Sequence, residues 1–308
     1  MKRAARVGAA HGRDPSGILL LDKPSGLTSN AALQHVRRLY GADKAGHTGS
    51  LDPLATGLLP ICLGEATKLS GYLLDADKRY VTRAAVGAST TTGDAEGDVV
   101  RRSDAAALTR PALEAVLPQF TGDLRQRPPM YSALKHDGQR LYELARQGLE
   151  VEREARPVRI EALQLLDCGP GWFELDVRCS KGTYIRTLVE DLAAAAGQCA
   201  HVASLRRLEA GPFRESGMVT AAILEQTAAQ GFPALDALLL DPLAGLAGWA
   251  QVTVDAAQAA RLAQGQALRL DSPAPPPGRV AVVDARPRLL GIAEVDGQGL
   301  LQPRRWLS

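Results

Sequence analysis

The second half of the chain carries the most regular alternation of apolar and polar positions. Apolar side chains at 173, 175, 177 and 179 are separated by charged or polar ones, and this period of two predicts a half-buried strand. From Ile185 to Leu192 the apolar positions repeat with helical spacing up to Gly197, so a helix is expected after the strand. Residues 80–86 alternate in the same way as the first stretch and predict another strand.

Toward the N-terminus the pattern predicts a buried strand followed by a helix. The apolar run Ile18–Leu21 ends at Lys23-Pro24-Ser25-Gly26, a sequence that is typical of a turn. Thr28 or Ser29 then precedes apolar residues at helical spacing, so either side chain can cap a helix. The preceding residues, 1–16, are expected to form a flexible basic tail.

The C-terminal part, residues 249–308, has a composition of its own. A helical pattern spans 256–263, and two short apolar runs at 280–283 and 289–295 predict strands. The chain then passes through a glycine-rich turn to the basic residues around 302–305. Because this part is small, rich in strands and basic at its end, we expect an appended binding module.

Length and composition describe an ordinary globular protein. The 308 residues suffice for about two domains, and hydrophobic and charged residues make up 45% and 23% of them. No apolar run approaches the ~20 residues that span a bilayer, and the basic N-terminus lacks the apolar stretch of a secretory signal. The four cysteines form no C-x-x-C pair, and no histidines stand at zinc-binding spacing. We therefore expect a cytoplasmic protein without a membrane segment or a bound metal.

The net charge of +2 neither favours nor excludes nucleic acid as a partner, so local clustering of charge matters more. Taken alone, each cluster of basic residues is most typical of a solvated face. The clusters are Arg37–Arg38, Lys78–Arg79, Arg125–Arg140, Arg206–Arg207 and Arg304–Arg305.

The segment Lys44–Gly57 combines glycine, hydroxyl residues and proline too densely for a regular element. Its glycines permit tight turns and the close approach of a ligand to the backbone. Pro53 favours an extended conformation for Asp52, although an Asp-Pro pair in such a loop is most often only a turn. The segment does not have the order of a phosphate-binding P-loop, and only His47 stands near Asp52 as a second metal-binding group. The residues alone leave Asp52 open between a turn and a catalytic group.

The run Gly-His-Thr-Gly-Ser-Leu-Asp-Pro-Leu-Ala-Thr-Gly-Leu-Leu-Pro resembles the signature of the TruB family of pseudouridine synthases, which act on the T-loop of tRNA. Within this family, the bacterial stand-alone tRNA pseudouridine-55 synthases are the most similar in pattern. The resemblance covers about residues 17–245, while the tail resembles the small RNA-binding barrel called PUA only loosely. Further matching segments are residues 21–26, 128–135, 181–186 and 205–213.

This resemblance implies an α+β fold in which helices flank a central mixed, mostly antiparallel sheet. It implies a catalytic domain over residues 17–245, with a thumb-like RNA-binding insertion at about 125–150, and a β-rich PUA-like module over 249–308. It also implies that tRNA is the partner and that the protein acts as a monomer without an obligatory protein partner.

The chemistry implied by the resemblance needs no cofactor. Pseudouridylation breaks the N1–C1′ bond of uridine, turns the base over and rejoins it through C5, so atoms and redox state are conserved. The family uses a single aspartate, and Asp52 matches it. The carboxylate can add to C1′, add to C6 of the uracil, or assist elimination to a glycal. All three routes need an ionised carboxylate against the nucleotide, and the sequence leaves all three open.

Three residues are implied to surround Asp52. Arg186 matches the family arginine that pairs with the aspartate, keeps it ionised and aims it. Tyr80 matches the tyrosine that stacks on the target base and is a candidate proton acceptor late in the reaction. Tyr184 is expected to line the uracil pocket.

Three more residues are implied to handle the RNA. The target uridine lies in a folded loop and has to be extruded, and His47 matches the residue that fills the vacated space. Leu205 is expected to contact the flipped base. Lys135, in the thumb-like insertion, is expected to contact phosphates. Lys23 and Pro24 are interpreted as structural.

Other functions compete with this interpretation. The guide-RNA-dependent branch of the family shares the aspartate motif, but it works with partner proteins and carries a fuller PUA domain. A non-catalytic RNA-binding or RNA-folding protein would not need the set formed by Asp52, Tyr80 and Arg186, although a tRNA-folding role can coexist with catalysis. A hydrolase with a carboxylate nucleophile is a third alternative, but the sequence shows no evident residue that would activate water.

Overall fold

A computed structural model describes residues 13–105, 108–270 and 275–307. Residues 1–12 of the expected basic tail therefore lie outside the described residues. Arg13 is part of the folded body, because it forms an ion pair with Asp236 and lies over the ring of Phe232, 4.2 Å from its centroid. The packed chain thus begins before the apolar run that marks the first strand.

Strands dominate the main body. Their bounds are β1 (Gly17–Lys23), β2 (Ala45–His47), β3 (Thr56–Leu63), β4 (Lys78–Val86), β5 (Ala88–Thr90), β6 (Val99–Arg102), β7 (Gly122–Gln126), β8 (Lys135–His136), β9 (Gln139–Arg140), β10 (Arg156–Gly169), β11 (Trp172–Cys179), β12 (Ala200–Ala210), β13 (Phe213–Arg214) and β14 (Val219–Thr220). Ten of these described strands form one sheet in the order β14-β1-β3-β12-β4-β11-β10-β7, with β2 on β3 and β13 on β12. The pairs β1–β14 and β3–β12 are parallel and the others antiparallel, which confirms the predicted mixed, mostly antiparallel sheet.

Helices flank this sheet as expected. The α-helices of the main body are α1 (Ser29–Tyr40), α2 (Ser70–Leu74), α3 (Arg110–Val116), α4 (Leu141–Arg146), α5 (Ile185–Ala195), α6 (Ala221–Ala228) and α7 (Phe232–Asp236). Thr28 caps α1 by accepting a hydrogen bond from the Ala31 N–H, and Gly41 ends the helix in the left-handed region. Helix α5 buries Leu188, Val189 and Leu192 in the main core, as its spacing predicts.

The strand over Trp172–Cys179 confirms the period of two, since Phe173, Leu175, Val177 and Cys179 are all buried. The Lys44–Gly57 segment is more regular than predicted. Its first residues form β2 and its last two begin β3, because both pair with neighbouring backbone despite the glycines. Only the residues between these strands form a loop.

One glycine of β3 allows the two parallel strands at the centre of the sheet to approach closely. Gly57 pairs with Arg207 of β12 and has φ +96°, a conformation that favours glycine. A Cβ atom at position 57 would lie 2.3 Å from the Arg207 carbonyl oxygen, closer than any real contact. The backbone at this point therefore fixes where the loop between β2 and β3 joins the central strands.

The C-terminal part forms a second sheet with one helix, α8 (Ala256–Ala263). Its strands are β15 (Ala250–Thr253), β16 (Leu268–Arg269), β17 (Gly278–Val283), β18 (Leu289–Val295) and β19 (Leu300–Trp306), in the order β15-β17-β18-β19-β16. The residues around 302–305 lie within β19 rather than beyond the last strand, because they pair with β18. Leu289 and Ile292 pack with Ile18 and Leu58 of the main body, so the two sheets share an apolar contact.

Candidate active site

Asp52 lies in the loop between β2 and β3, and that loop is fastened to the start of α1. The Leu51 N–H donates to Ser29 Oγ at 2.7 Å, and Ser29 Oγ donates to the Leu51 carbonyl at 3.0 Å. On the other side of Asp52, the Pro53 carbonyl accepts a hydrogen bond from the Gly26 N–H at 2.9 Å. These contacts hold the backbone on both sides of the carboxylate, which is 37% exposed.

Arg186, at the first turn of α5, grips the Asp52 carboxylate with two nitrogens. Its Nε lies 2.8 Å from Oδ2, and its Nη2 lies 3.1 Å from Oδ1. The same guanidinium donates to the carbonyls of Thr92 and Tyr131 at 2.6 and 2.8 Å, and its Nε is 3.9 Å from Asp94 Oδ2. With only 5% of its side chain exposed, Arg186 is held from several sides and fixes the direction of the carboxylate.

The electrostatic setting of Asp52 is a balance of opposite effects. Burial raises the pKa of the Asp52 carboxyl above its ordinary value, and the nearby Asp94 raises it further. The positive charge and hydrogen bonds of Arg186 lower that pKa and oppose the effect of burial. The arginine is therefore the main group that favours the ionised form of this carboxylate against burial.

Two tyrosines lie close enough to Asp52 to be affected by its charge. Tyr80 on β4 is buried, and burial raises the pKa of its phenol while the Arg207 guanidinium lowers it. Burial also raises the pKa of Tyr184, the residue that precedes α5, and the charge of Arg186 lowers it. Since Asp52 raises both values, the aromatic pair and the carboxylate share one site.

The remaining predicted residues divide into two groups. Leu205 on β12 is buried directly opposite Thr82, and His47 on β2 is half-buried, with its Nδ1 accepting from the Gly49 N–H at 3.4 Å. Burial and the Arg207 charge lower the pKa of His47, which favours a neutral imidazole. Lys135 instead begins the exposed hairpin β8–β9, so the structure does not bring it to the Asp52 carboxylate.

Arg207 and Asp94 were not singled out by the sequence, although both are buried beside the predicted residues. Arg207 is 1% exposed, so the expectation of a solvated face is wrong for it; it is wrong for Lys78 as well, which is 7% exposed. Arg207 and Lys78 each donate hydrogen bonds to backbone carbonyls inside the protein, and these bonds replace the ones that the side chains would make to water. No local pattern in the sequence marks Arg207 or Asp94 as buried.

The described residues contain no group of three or more His, Cys, Asp or Glu side chains that could hold a metal ion. In the same residues, no helix combines the length and apolar character that crossing a membrane requires.

Lys23 binds the backbone of the Asp52 loop, which agrees with its interpretation as a structural residue. It is fully buried, and its Nζ donates to the carbonyls of Pro24, Leu27 and Pro53 at 2.8, 2.7 and 3.2 Å. Burial lowers the pKa of Lys23 to about 8, while the charge of Asp52 opposes the shift. The lysine thus binds both the turn after β1 and the residue next to the catalytic candidate.

Replacing Lys23 with methionine is expected to lower the free energy of unfolding by about 1–3 kcal/mol, because three backbone carbonyls lose the buried ammonium that donates to them. Urea unfolding followed by circular dichroism measures the change. The matched control is Lys181→Met, since Lys181 is 57% exposed in its ion pair with Asp75 and is expected to contribute less than about 1 kcal/mol. Equal losses in both variants would contradict the fastening role.

Comparisons with known proteins agree along the whole chain. The family model described as TruB family pseudouridylate synthase (N terminal domain) matches residues 37–185. Residues 186–243 match the tRNA pseudouridylate synthase B C-terminal domain, and residues 250–307 match the C-terminal part of pseudouridine synthase II TruB.

Similar proteins cover nearly the full length. The tRNA pseudouridine synthase B of Stutzerimonas stutzeri is 56% identical over 294 residues, which is 95% of this chain and 96% of the relative. That of Nitrosococcus oceani is 50% identical over 305 residues, covering 99% and 98%. A solved Cbf5-Nop10-Gar1 complex contains a chain with a TM-score of 0.74 and 23% identity, covering 96% of this chain and 85% of that one. At that identity the likeness is one of fold alone.

Proposed function

Because the chain belongs to the TruB family of pseudouridylate synthases, we propose that it isomerises uridine 55 in the T-loop of tRNA to pseudouridine, with Asp52 as the catalytic carboxylate. The observation that carries this proposal is the two-point contact between Asp52 and Arg186, beside two buried or half-buried tyrosines. A binding protein would have no use for a carboxylate that is held in this way. The uridine-to-pseudouridine reaction makes the protein an isomerase.

The role of Asp52 follows from its charge and its restraint. An ionised carboxylate next to the nucleotide serves attack on C1′, addition to C6 or formation of a glycal, and Arg186 favours the ionised form against burial. Tyr80 would stack on the uracil and Tyr184 would line the pocket on the other side. With a pKa that burial raises, the Tyr80 phenol carries its proton at neutral pH, so it can act as a base only after it has passed that proton to another group.

His47 would occupy the space that the extruded uridine leaves. Its half-buried position on β2 and the effects that lower its pKa favour a neutral ring, which can stack among bases without a desolvation cost. Leu205, close to the same central strands, would contact the flipped base. Extrusion costs a few kcal/mol, and contacts of this kind offset part of it.

His47→Ala is expected to reduce the single-turnover rate at low tRNA concentration about tenfold, since about 1.4 kcal/mol of support for the extruded state corresponds to a factor of ten. Saturating tRNA should recover part of the loss. Rapid-quench measurements over a range of enzyme concentrations test this, with His35→Ala on α1 as the matched control. If His47→Ala and the control have equal kinetics, His47 has no role in extruding the uridine.

The outer parts of the chain would supply the remaining tRNA contacts. The thumb-like insertion at about 125–150 carries Lys135 in an exposed hairpin, and the PUA-like module over 249–308 ends in the basic strand β19. Phosphate contacts from such residues give an affinity that falls with salt. We further propose that the protein acts in the cytoplasm as a monomer, without a guide RNA, a partner protein or a cofactor.

The assignment is tested with an unmodified tRNA transcript and purified protein in buffer that contains a metal chelator. Pseudouridine mapped at position 55 is expected, and a transcript with cytidine at that position serves as the negative control. Absence of pseudouridine in the T-loop rejects the proposed target. A requirement for an added guide RNA would instead support the guide-dependent branch.

A further inference from the structure

Arg207 lies at the point where three central strands meet. In β12 it pairs with Tyr80 of β4 on one side and with Gly57 of β3 on the other. Residues directly opposite each other on neighbouring strands present their side chains to the same face of the sheet. The side chains of Arg207 and Tyr80 therefore share the face on which the Asp52 loop rests.

The guanidinium of Arg207 is held by backbone carbonyls. Its Nε donates to the Leu58 carbonyl at 2.6 Å, and its Nη2 donates to the Gly49 carbonyl at 3.1 Å. A longer contact of 3.5 Å reaches the Ser50 carbonyl. Within the described chain, Arg207 forms no ion pair, in contrast to Arg206, whose guanidinium binds both carboxylate oxygens of Asp22. A buried cation that only neutral acceptors hold keeps its full effect on its surroundings.

The effect of this charge reaches several neighbours. Arg207 lowers the pKa of Lys78 and of His47, in each case after burial as the larger cause. Its charge also lowers the pKa of the Tyr80 phenol, against the larger raising effect of burial and the smaller ones of Cys179 and Asp52. Among these groups, Tyr80 is the one that stands directly opposite Arg207 in the sheet.

We propose that Arg207 is a positioning residue for the pseudouridylation reaction, and that it acts by polarising the hydroxyl of Tyr80, which lies directly opposite it in the sheet. The inference rests on the proposed function and deepens it. The carbonyls of Leu58 and Gly49 hold the guanidinium in place, on the face of the sheet that it shares with the directly opposite Tyr80 side chain, so its charge acts on the phenol. Arg207 forms no described hydrogen bond with the Asp52 carboxylate, which Arg186 already holds. It does bind the Gly49 and Ser50 carbonyls of the same loop, so an effect through the loop is the alternative that an experiment has to exclude.

The first test separates catalysis from binding. Arg207→Gln is expected to slow the single-turnover rate at saturating tRNA about 100-fold, and Arg207→Lys about tenfold because the lysine keeps the charge but not the fork of donors. The Kd for tRNA should stay within about threefold of the parent, since Arg207 is buried. Arg206→Lys and Arg206→Gln are the matched controls and should leave the rate unchanged.

A double-mutant cycle with Tyr80→Phe identifies the group through which Arg207 acts. If the hydroxyl carries the effect, Arg207→Lys should change the rate of the Tyr80→Phe enzyme by less than about threefold. A tenfold loss in both backgrounds would show that Arg207 acts through the loop instead and would overturn the proposal. A rate of Tyr80→Phe alone that equals the parental rate would overturn it as well.

Folding defects do not remove the test. If Arg207→Lys does not fold, the cycle is run with Arg207→Gln. Failure of the proposed function is distinguishable, because the parental enzyme itself would then form no pseudouridine.

Discussion

Replacement of Asp52 by asparagine is expected to abolish turnover, with a loss of about 10⁴-fold or more in the single-turnover rate. The amide keeps the volume of the carboxylate but cannot act as a nucleophile or carry its negative charge. Arg186 loses its ionic partner, while the carbonyls of Thr92 and Tyr131 still hold its guanidinium. The fold and the tRNA-binding surface should therefore survive, and the Kd for tRNA is expected within about threefold of the parent.

The measurement pairs a rapid-quench assay with a binding assay on the same preparation. Asp75→Asn is the matched control, because Asp75 is 53% exposed in an ion pair with Lys181 and takes no part in the contact between Asp52 and Arg186. Parental turnover by Asp52→Asn would exclude Asp52 as the catalytic carboxylate. Loss of both turnover and binding would point to a folding defect, which the melting temperature checks.

Arg186→Met is expected to lower the rate near neutral pH about 10²- to 10³-fold and to shift its dependence on pH. The proposed reaction requires the ionised carboxylate, so the rate is expected to fall as the pH drops through the pKa of Asp52. Burial already raises that pKa, and the guanidinium is the main group that lowers it. Without Arg186 the pKa rises further, and the acidic limb of the rate profile therefore moves to higher pH.

Single-turnover rates from about pH 5 to about pH 9 measure this shift. Arg186→Lys serves as the comparison, because it keeps the positive charge and loses the two-point grip. Its acidic limb should move less than that of Arg186→Met, although its rate at the plateau also falls. An acidic limb that stays in place in both variants would show that another group governs the ionisation.

Local sequence patterns predicted the elements whose two faces differ in burial. The strand over Trp172–Cys179 and the helix that follows it were found because each buries the apolar residues that recur at its own period. The long strand β10 escaped, since most of its residues are exposed and two register shifts interrupt its alternation. Strand β12 escaped for the opposite reason: it is central, yet it carries charged residues that the protein buries against carbonyls or pairs with acids.

The candidate site was predictable only through resemblance. Asp52 and Arg186 are 134 positions apart, and no local period connects them. The glycine-rich loop indicated a place for function, but not which of its residues carries the chemistry. The support from Asp94 and Arg207 was invisible, because a charged residue in a sequence resembles a solvated one until its neighbours are known.

The position of β12 in the sheet determines when the central strands of the growing chain can pair. Strands β3 and β4 are close in sequence, yet β12 lies between them, and it leaves the ribosome long after both. Until then the two strands lack their shared neighbour, and the tyrosine on β4 has no arginine opposite it. Such non-local pairing slows folding, so the protein should become active only after almost the whole catalytic sheet has been synthesised. A chain that ends before β12 would leave an unpaired edge on β3 and another on β4, and such edges promote aggregation.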